Sequence, residues 1–386
     1  MSIYLDHAAT VPMVDEAVQA LTAQMRIVGN ASSLHSDGRA VRKAVEDARM
    51  SLADVVGCEP SEIIFTGTGT EADNLAIKGF YWKAVAANPT RTTILSSAIE
   101  HHAVKDPIEW LVDHEGATSV EIPVLRNGVI DIDFVRDYIA ANKSAIALIS
   151  VMHSNNEIGS LQPIREIVDI AGDIPVHTDA VQSLGKVDFN FAALGATAAT
   201  ISSHKVGGPL GVAALILKRG LDITPVTHGG GQERDVRSGT FNAPSIVAFA
   251  AAARAALSKR DSQSSRIAAL RDSAAARILQ AIPDATINGV AGLPGILNIS
   301  FPDTESEALL LLLDSEGISA SAGSACSAGV SRPSHVLLAL GRTEEEAMSS
   351  LRFSLGSTTT QAEIDRLVEI LPSVVQRARA AFSVKK

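Results

Sequence analysis

Short apolar runs recur along the first two thirds of the chain, and most end in a polar or glycine-rich turn. They predict buried strands at residues 61–65, 93–97, 146–152, 174–180 and 212–217, with another strand that starts at residue 196. Apolar residues at helical spacing predict helices at 15–25, 37–56 and 72–80. Strands that alternate with helices over residues 60–205 are typical of an α/β fold with a largely parallel sheet.

The last third has a different pattern. An alanine-rich helix starts near residue 244 and continues to about 282, and further apolar segments follow at 296–301, 308–313 and 362–381. A chain of 386 residues is too long for one ordinary core. We therefore predict a large α/β domain at residues 15–258 and a smaller α+β domain made of residues 1–14 and 259–386.

The composition argues against several classes of protein. Lys and Arg total 33 against 43 Asp and Glu, a formal charge of −10, which disfavours nucleic acid or an anionic membrane as a partner. The N-terminus lacks the pattern of a signal peptide, and the apolar runs are too short to span a bilayer. Two cysteines make neither a disulfide framework nor a typical structural zinc site. We predict a cytoplasmic protein without a metal site.

The first candidate for chemistry is Lys205, which follows the strand that starts at residue 196. It ends the run SSHK and precedes the glycine-rich turn VGGPLG. A lysine at a strand end, with its amine turned inward, suits a Schiff base with a carbonyl compound. The glycines leave room for a ring and a phosphate. A solvated lysine on a surface loop is the alternative for this segment alone.

Asp179 lies near the end of another predicted strand, three residues before Gln182. A buried carboxylate is costly unless it meets a positive partner. Enzymes that use pyridoxal 5'-phosphate (PLP) pair the ring nitrogen with an Asp while a Lys holds the aldehyde. Asp179 and Lys205 fall at the ends of consecutive predicted strands, where open α/β sheets bind ligands. PLP is therefore the favoured cofactor, with a helix-capping Asp as the alternative.

Other segments carry further candidates. Gly69 and Thr70 lie in a Gly/Thr loop between a strand and a helix, which is either an anion site or a tight connection. His101 could stack on a pyridine ring, and Asn155 could donate to a phenolic oxygen, although both could be ordinary surface or turn residues. Arg352 lies between apolar residues and suits a substrate carboxylate, with a salt bridge at the rim as the alternative.

The two cysteines differ in their neighbours. Cys326 lies in the run SAGSACSAG, which contains no bulky residue that could bury the thiol. This pattern favours an accessible thiolate that can reach a substrate, and a buried thiol is the alternative. Cys58 follows a predicted helix, and we expect it to pack as a small apolar residue.

Nine motifs occur in order from Tyr4 to about Gly356: YLDHAAT, FTGTGTEADN, IEHHAV, HSNNEIG, HTDAVQ, SSHKVGGPLG, HGGGQERDVRSGT, SAGSACSAG and LRFSLG. Together they resemble the cysteine desulfurases, the family of the NifS and IscS proteins. The resemblance implies fold type I of the PLP-dependent enzymes, like that of aspartate aminotransferase. It implies a large domain with a mainly parallel sheet, a smaller α+β domain, and a homodimer with active sites near the subunit interface.

The resemblance also implies a role for each candidate residue. Lys205 would hold PLP, Asp179 would pair with its ring nitrogen, and Cys326 would be the nucleophile that accepts sulfur. His101 would stack on the ring and take part in catalysis. The remaining implied contacts are the phosphate ligands Gly69, Thr70, Ser202, His204 and Thr240 of the partner subunit, the phenolic-oxygen ligands Asn155 and Gln182, and the substrate-carboxylate ligands Arg352 and Asn155.

The implied activity is that of a PLP-dependent cysteine desulfurase, which converts L-cysteine to L-alanine and passes the sulfur to Cys326 as a persulfide. A sulfur acceptor, such as an iron–sulfur scaffold protein, would then receive it for iron–sulfur cluster assembly or another pathway. A selenocysteine lyase and a PLP-dependent aminotransferase are the enzymatic alternatives. A non-catalytic protein with the same fold is the alternative from another class.

Overall fold

The computed structural model describes residues 2–323 and 332–385. The strands in these ranges are β1 (Ile3–Tyr4), β2 (Ile63–Thr66), β3 (Thr93–Ser97), β4 (Thr118–Ile122), β5 (Ile146–Ser150), β6 (Val176–Asp179), β7 (Ala198–Ser202), β8 (Ala213–Leu217), β9 (Thr286–Asn288), β10 (Ile296–Ser300), β11 (Ile318–Ser319) and β12 (Ser350–Ser354). The α-helices are α1 (Asp15–Met25), α2 (Ser36–Val56), α3 (Gly69–Ala87), α4 (His102–Glu115), α5 (Ile132–Asn142), α6 (Ile164–Ala171), α7 (Phe191–Leu194), α8 (Ala243–Ala281), α9 (Ser306–Ser315), α10 (His335–Ala339), α11 (Glu344–Met348) and α12 (Gln361–Lys385).

A seven-stranded sheet forms the centre of the larger part, in the order β2-β8-β7-β6-β5-β3-β4. Strand β8 runs antiparallel to both of its neighbours, and the five strands from β7 to β4 are parallel to one another. Most of these strands are apolar and buried on both faces, as helix-covered parallel sheets require. The α/β fold with a mainly parallel sheet, predicted from the sequence, is confirmed.

Two apolar cores lie on the two faces of this sheet. In β2, Ile63 and Phe65 contribute to one core and Ile64 to the other, because successive side chains of a strand point to opposite faces. Helices α1, α2, α5, α6 and the first half of α8 supply the first core, while α3 and α4 supply the second. The helices leave the carboxyl ends of β6 and β7 accessible, and this is where Asp179 and Lys205 lie.

The rest of the chain builds a second unit around its own core. Strands β9, β10 and β12 form an antiparallel sheet in the order β12-β10-β9, and β1 from the N-terminus pairs in parallel with β11. Helices α9 and α12 and the second half of α8 pack on this sheet. The 39-residue helix α8 therefore contributes to the cores of both units. The predicted boundary at residues 258/259 falls inside α8 and stays a prediction.

None of the described helices combines the length and apolar character that a membrane crossing needs. Residues 2–323 and 332–385 also bring together no group of three or more His, Cys, Asp or Glu side chains that could hold a metal ion.

Candidate active site

Lys205 follows β7 by one short turn and lines a cavity of about 450 Å³. Its Nζ donates hydrogen bonds to the carbonyl oxygens of Ala8 and Ala9 at 2.6 and 2.8 Å. Gly207, with a φ of +85°, lets the chain turn away immediately afterwards. Burial, followed by the positive charge of Arg352, lowers the pKa of Lys205 to about 8. Part of the amine is therefore neutral near neutral pH, as a nucleophilic or proton-accepting amine requires.

Asp179 ends β6, the strand next to β7, and its side chain enters the same cavity. The residue is 7% exposed, and Oδ1 accepts a hydrogen bond from the backbone N–H of Val181 at 2.8 Å. Burial raises the pKa of the carboxyl group to about 6, although the Val181 N–H and the charge of Lys205 favour the ionised form. A cation placed against Asp179 would compensate the buried charge.

Three more buried carboxyl groups line the cavity: Asp73 on α3, Glu100 just before α4 and Glu157 in the turn after β5. Asp73 Oδ1 and Glu100 Oε2 have no hydrogen-bond partner among the described residues. Burial raises the pKa of Glu100 to about 8, and burial with the charge of Asp179 raises that of Asp73 well above its usual range. Together with Asp179, these carboxyl groups favour a ligand that brings a positive charge or a donated proton into this cavity.

An anion site forms where α3 begins. Thr68 caps the helix by accepting the N–H of Glu71 on its hydroxyl, and the start of α3 at Gly69 and Thr70 lines the cavity. The free N–H groups and the dipole of a 19-residue helix favour an anion here. A Cβ on Gly69 would come within 3.2 Å of Val181 Cγ2, so the glycine keeps this wall open.

Ser202 at the end of β7 and His204, which directly precedes Lys205 in the following turn, line the cavity as well. Burial, with the charges of Lys205 and Lys186, lowers the pKa of His204 to about 4. The ring is therefore neutral near neutral pH, so it can offer an N–H to an anion without carrying a charge.

His101 immediately precedes α4 and turns its ring towards the cavity. Its Nδ1 accepts a hydrogen bond from the backbone N–H of Ala103 at 3.1 Å, which places the ring proton on Nε2. Burial within the cavity, followed by the charges of Lys205 and His102, lowers the pKa of His101 to about 4. The site therefore holds a neutral imidazole with one N–H available.

Arg352 comes from the second unit, on β12, and closes the cavity from that side. Its Nη2 donates to Asp6 Oδ1 at 2.8 Å and its Nη1 donates to the carbonyl oxygen of Asn156 at 3.0 Å. The Nε–H is buried and has no partner among the described residues. A buried guanidinium with an unused donor is suited to bind a carboxylate.

The comparisons with known proteins agree on one family. The Aminotransferase class-V family matches residues 3–367. The IscS-like cysteine desulfurase of Mycobacterium tuberculosis (strain ATCC 25618 / H37Rv) is 45% identical over 383 residues, which cover 98% of this chain and 97% of that protein. The cysteine desulfurase NifS of Azotobacter vinelandii is 40% identical, with 98% and 93% of the two chains covered. This chain belongs to the cysteine desulfurase family.

Solved structures support the same assignment. A structure titled NifS-like protein matches with a TM-score of 0.90 at 31% identity, covering 98% of this chain and 100% of that one. A structure titled SspA in complex with cysteine matches with a TM-score of 0.78 at 29% identity, covering 93% and 100% of the two chains. Cysteine desulfurases use PLP, so the cofactor predicted from the sequence is confirmed.

The described cavity fits PLP in its chemistry. It combines a lysine amine for the aldehyde, a helix start for the phosphate, and buried carboxyl groups for the ring nitrogen. The structure brings nine of the predicted site residues together around it: Gly69, Thr70, His101, Asp179, Gln182, Ser202, His204, Lys205 and Arg352.

Two predicted residues, Asn155 and Thr240, do not join this group, and a third, Cys326, cannot be placed from the described residues. The amide of Asn155 is occupied elsewhere, since Nδ2 donates to the Ile99 carbonyl at 3.0 Å and Oδ1 accepts two backbone N–H groups. The adjacent Asn156 lines the cavity instead. Thr240 is exposed and lies outside this chain's cavity, and Cys326 lies outside the described residues. The roles assigned to these three residues stay predictions.

Sequence reasoning missed Asp73, Glu100 and Glu157, the buried carboxyl groups that line the cavity. The signal available for Glu100 was its place directly before His101 at a strand-to-helix junction. Asp73 and Glu157 resemble ordinary polar residues of a helix and a turn, so no pattern in the sequence indicates that they are buried.

Proposed function

We propose that this chain is a PLP-dependent cysteine desulfurase, which converts L-cysteine to L-alanine and passes the sulfur to a thiol of its own as a persulfide. The observation that carries the proposal is the convergence of Lys205, Asp179 and Arg352 on one cavity. A Schiff-base lysine, a partner for the ring nitrogen and a clamp for a carboxylate are the groups that PLP chemistry on an amino acid requires. The 45% identity to an IscS-like cysteine desulfurase supports the choice of substrate.

In this proposal several cavity residues would hold the cofactor. Lys205 would bind the aldehyde carbon, Asp179 would pair with the ring nitrogen, and His101 would stack on the ring. The phosphate contacts are Gly69, Thr70, Ser202 and His204, joined by Thr240 of the partner subunit. Gln182 meets the phenolic oxygen. Bound PLP supplies an electron sink for the charge that develops at the substrate's Cα.

The chain's own groups then bind the substrate and move its protons. Arg352 binds the α-carboxylate of L-cysteine through donors that include its unused Nε–H. Once the amine of L-cysteine has replaced it on the aldehyde carbon, the free Nζ of Lys205, with a pKa of about 8, would take the proton from Cα and later return it. The neutral ring of His101 would offer its Nε2–H as a hydrogen-bond donor to the ligand in this cavity.

Sulfur transfer is assigned to Cys326. Its thiolate attacks the sulfur of the bound cysteine, a Cys326 S–S bond forms, and the substrate's Cβ–S bond breaks. The electron pair of that bond stays with Cβ, which takes up a proton and completes alanine. One L-cysteine and one thiol thus give one alanine and one persulfide, with no external oxidant. The persulfide sulfur then passes to an acceptor protein, such as an iron–sulfur scaffold.

We also propose a cytoplasmic homodimer. A chain with two cysteines suits a reducing compartment. Met25, Ile27, Val28 and Leu34, at the end of α1 and in the following loop, are 68%, 49%, 85% and 82% exposed. This apolar surface supports contact with a second copy of the chain, and light scattering of the purified protein measures the assembly.

The deciding experiment measures alanine released from L-cysteine without an added keto acid. Wild type should release alanine and carry one extra sulfur atom on Cys326 by mass spectrometry. Lys205→Ala should lose both, together with the visible absorbance of bound PLP. Cys326→Ala should keep the absorbance and lose alanine release from cysteine.

Each alternative gives a different result. Alanine formation that requires a keto acid indicates an aminotransferase. Alanine from selenocysteine but not from cysteine indicates a selenocysteine lyase. Bound PLP without turnover of either substrate indicates a non-catalytic protein and contradicts the proposal.

A further inference from the structure

Lys186, in the turn after β6, is a largely enclosed lysine with no acidic partner among the described residues. It lines a second, smaller cavity of about 260 Å³, and Lys205 lines both cavities. Within residues 2–323 and 332–385 no carboxylate forms an ion pair with Lys186. Enclosing an uncompensated ammonium group is costly, so its presence calls for a role in the site.

The contact that Lys186 makes is with Gln182, one turn earlier. Lys186 Nζ donates to Gln182 Oε1 at 2.8 Å, and Gln182 Nε2 donates to the carbonyl oxygen of Ala8 at 2.8 Å. An ammonium group only donates and a carbonyl oxygen only accepts, so these two partners fix the amide in one orientation. The Ala8 carbonyl oxygen also accepts from Lys205 Nζ, so the contacts of Lys186 lead directly to the catalytic lysine.

The fixed amide keeps one donor free. An amide nitrogen carries two N–H groups, and the Ala8 carbonyl uses one of those on Gln182. Gln182 is buried and lines the larger cavity, where the second N–H can reach a ligand. If the amide were reversed, its oxygen would face that ligand and repel an anionic oxygen.

We propose that Lys186 is a positioning residue that holds the Gln182 amide with an N–H towards the phenolic oxygen of PLP and stabilises the deprotonated form of that oxygen. The inference rests on the proposed function and adds to it a residue outside the direct contacts of the cofactor. Lys186 acts through Gln182 and through its charge.

The charged surroundings of Lys186 come from several elements. Lys205 and His204 face it from the turn after β7, Arg352 from β12, and His7 from the N-terminal arm. Burial, followed by the charges of Lys205 and Arg352, lowers the pKa of Lys186 to about 7. A bound anionic oxygen nearby would favour the charged form of Lys186. The positive charge of Lys186 and the hydrogen bond from Gln182 would then both stabilise the deprotonated oxygen.

The test is a pH titration of the visible absorbance of bound PLP. Lys186→Met should raise the midpoint by about one pH unit and weaken PLP binding about tenfold, because a hydrogen bond and a charge that favour the deprotonated oxygen are lost. Lys259→Met is the matched control. Lys259 lines the same smaller cavity but pairs with Glu16 at 3.0 Å on the surface, so its loss should leave the midpoint unchanged.

A double-mutant cycle separates positioning from a general structural effect. In a Gln182→Ala background, Lys186→Met should shift the midpoint much less than in the wild-type background, since the residue acts largely through that amide. Should Lys186→Met fail to fold, Lys186→Gln takes its place, because it removes the charge and keeps a polar side chain.

The outcomes are distinguishable from failure of the proposed function. If wild type binds PLP and the Lys186 variants titrate at the wild-type midpoint, the inference is overturned while the function stands. Equal shifts with and without the Gln182 amide would also overturn positioning through Gln182. A wild-type protein that binds no PLP would instead contradict the proposed function.

Discussion

Replacing Asp179 by Asn is expected to stabilise the cofactor-free protein and weaken its hold on PLP. Asn keeps an oxygen that can accept the Val181 N–H, which now bonds to Oδ1 at 2.8 Å. What the substitution removes is a carboxylate enclosed beside two further carboxyl groups, Asp73 and Glu100. Without PLP that charge is destabilising, whereas in the proposed function the ring nitrogen of bound PLP compensates it.

The magnitude follows from the pKa of Asp179, which burial raises from 3.8 to about 6. A shift of this size corresponds to about 3 kcal/mol of unfolding free energy at pH values above 6. A raised carboxyl pKa means that stability is complete below pH 3.8 and is lost as the pH rises through 6. Asp179→Asn should therefore gain up to about 3 kcal/mol at pH 7.5, and the gain should fade as the pH falls towards 4.

Guanidinium unfolding of the wild-type and Asp179→Asn apoproteins at about pH 7.5 and about pH 4 measures the difference in unfolding free energy. Added PLP should reverse the order, because a ligand stabilises the protein that binds it more tightly by a larger amount. An Asp179→Asn apoprotein no more stable than wild type at pH 7.5 would refute the reasoning. A gain of the same size at pH 4 would refute it as well.

Three other substitutions test separate parts of the structure. Arg352→Gln should raise the KM for L-cysteine about 10- to 100-fold and leave the absorbance of bound PLP in place, because charge-assisted contacts to the substrate carboxylate are lost. Glu233→Gln should lower the unfolding free energy by about 3 kcal/mol, because it removes the buried carboxylate that now bonds to the buried Arg49 guanidinium at 2.9 and 3.0 Å. The remaining counter-charge, Glu46 at 3.1 Å, is half exposed and therefore compensates little. A denaturant titration showing a loss of less than about 1 kcal/mol would contradict this. Cys58→Ala should release alanine at the wild-type rate, because burial raises the pKa of that thiol to about 12 and keeps it protonated.

The central strands were predictable because a buried parallel strand consists of consecutive apolar residues. Strand β4 was not predicted because it lies at the edge of the sheet and is not a run of apolar residues. Its Ser119 and Glu121 are exposed and alternate with less polar residues. The long α8 was predictable from its alanine-rich pattern, although no pattern marks where along it one core ends and the next begins.

The candidate site was predictable where a charged side chain comes at the end of an apolar strand, as Asp179 and Lys205 do, because such a position is unusual for a charge. Asn155 and Asn156 show the limit of that reasoning. Neighbouring amides are equivalent in sequence, and only the folded turn decides which one bonds to Ile99 and which one lines the cavity. The burial of Asp73 and Glu100 depends on how α3 and the start of α4 pack on the sheet, which local sequence does not record.

The pairing of the N-terminal arm with the far end of the chain bears on how the enzyme is made. Ile3 pairs with Ile318, and Asp6 holds Arg352 at 2.8 Å. Ala8 and Ala9, which bind the lysine amine, are synthesised long before the residues on β12, since Ala8 bonds to Ser354, 346 residues later in the chain. Such distant contacts form late in folding. A nascent chain can complete much of its central sheet before β12 is made, but it lacks a finished active site until β12 and its Arg352 have joined the structure. Truncated products are therefore expected to lack activity rather than to divert cysteine sulfur.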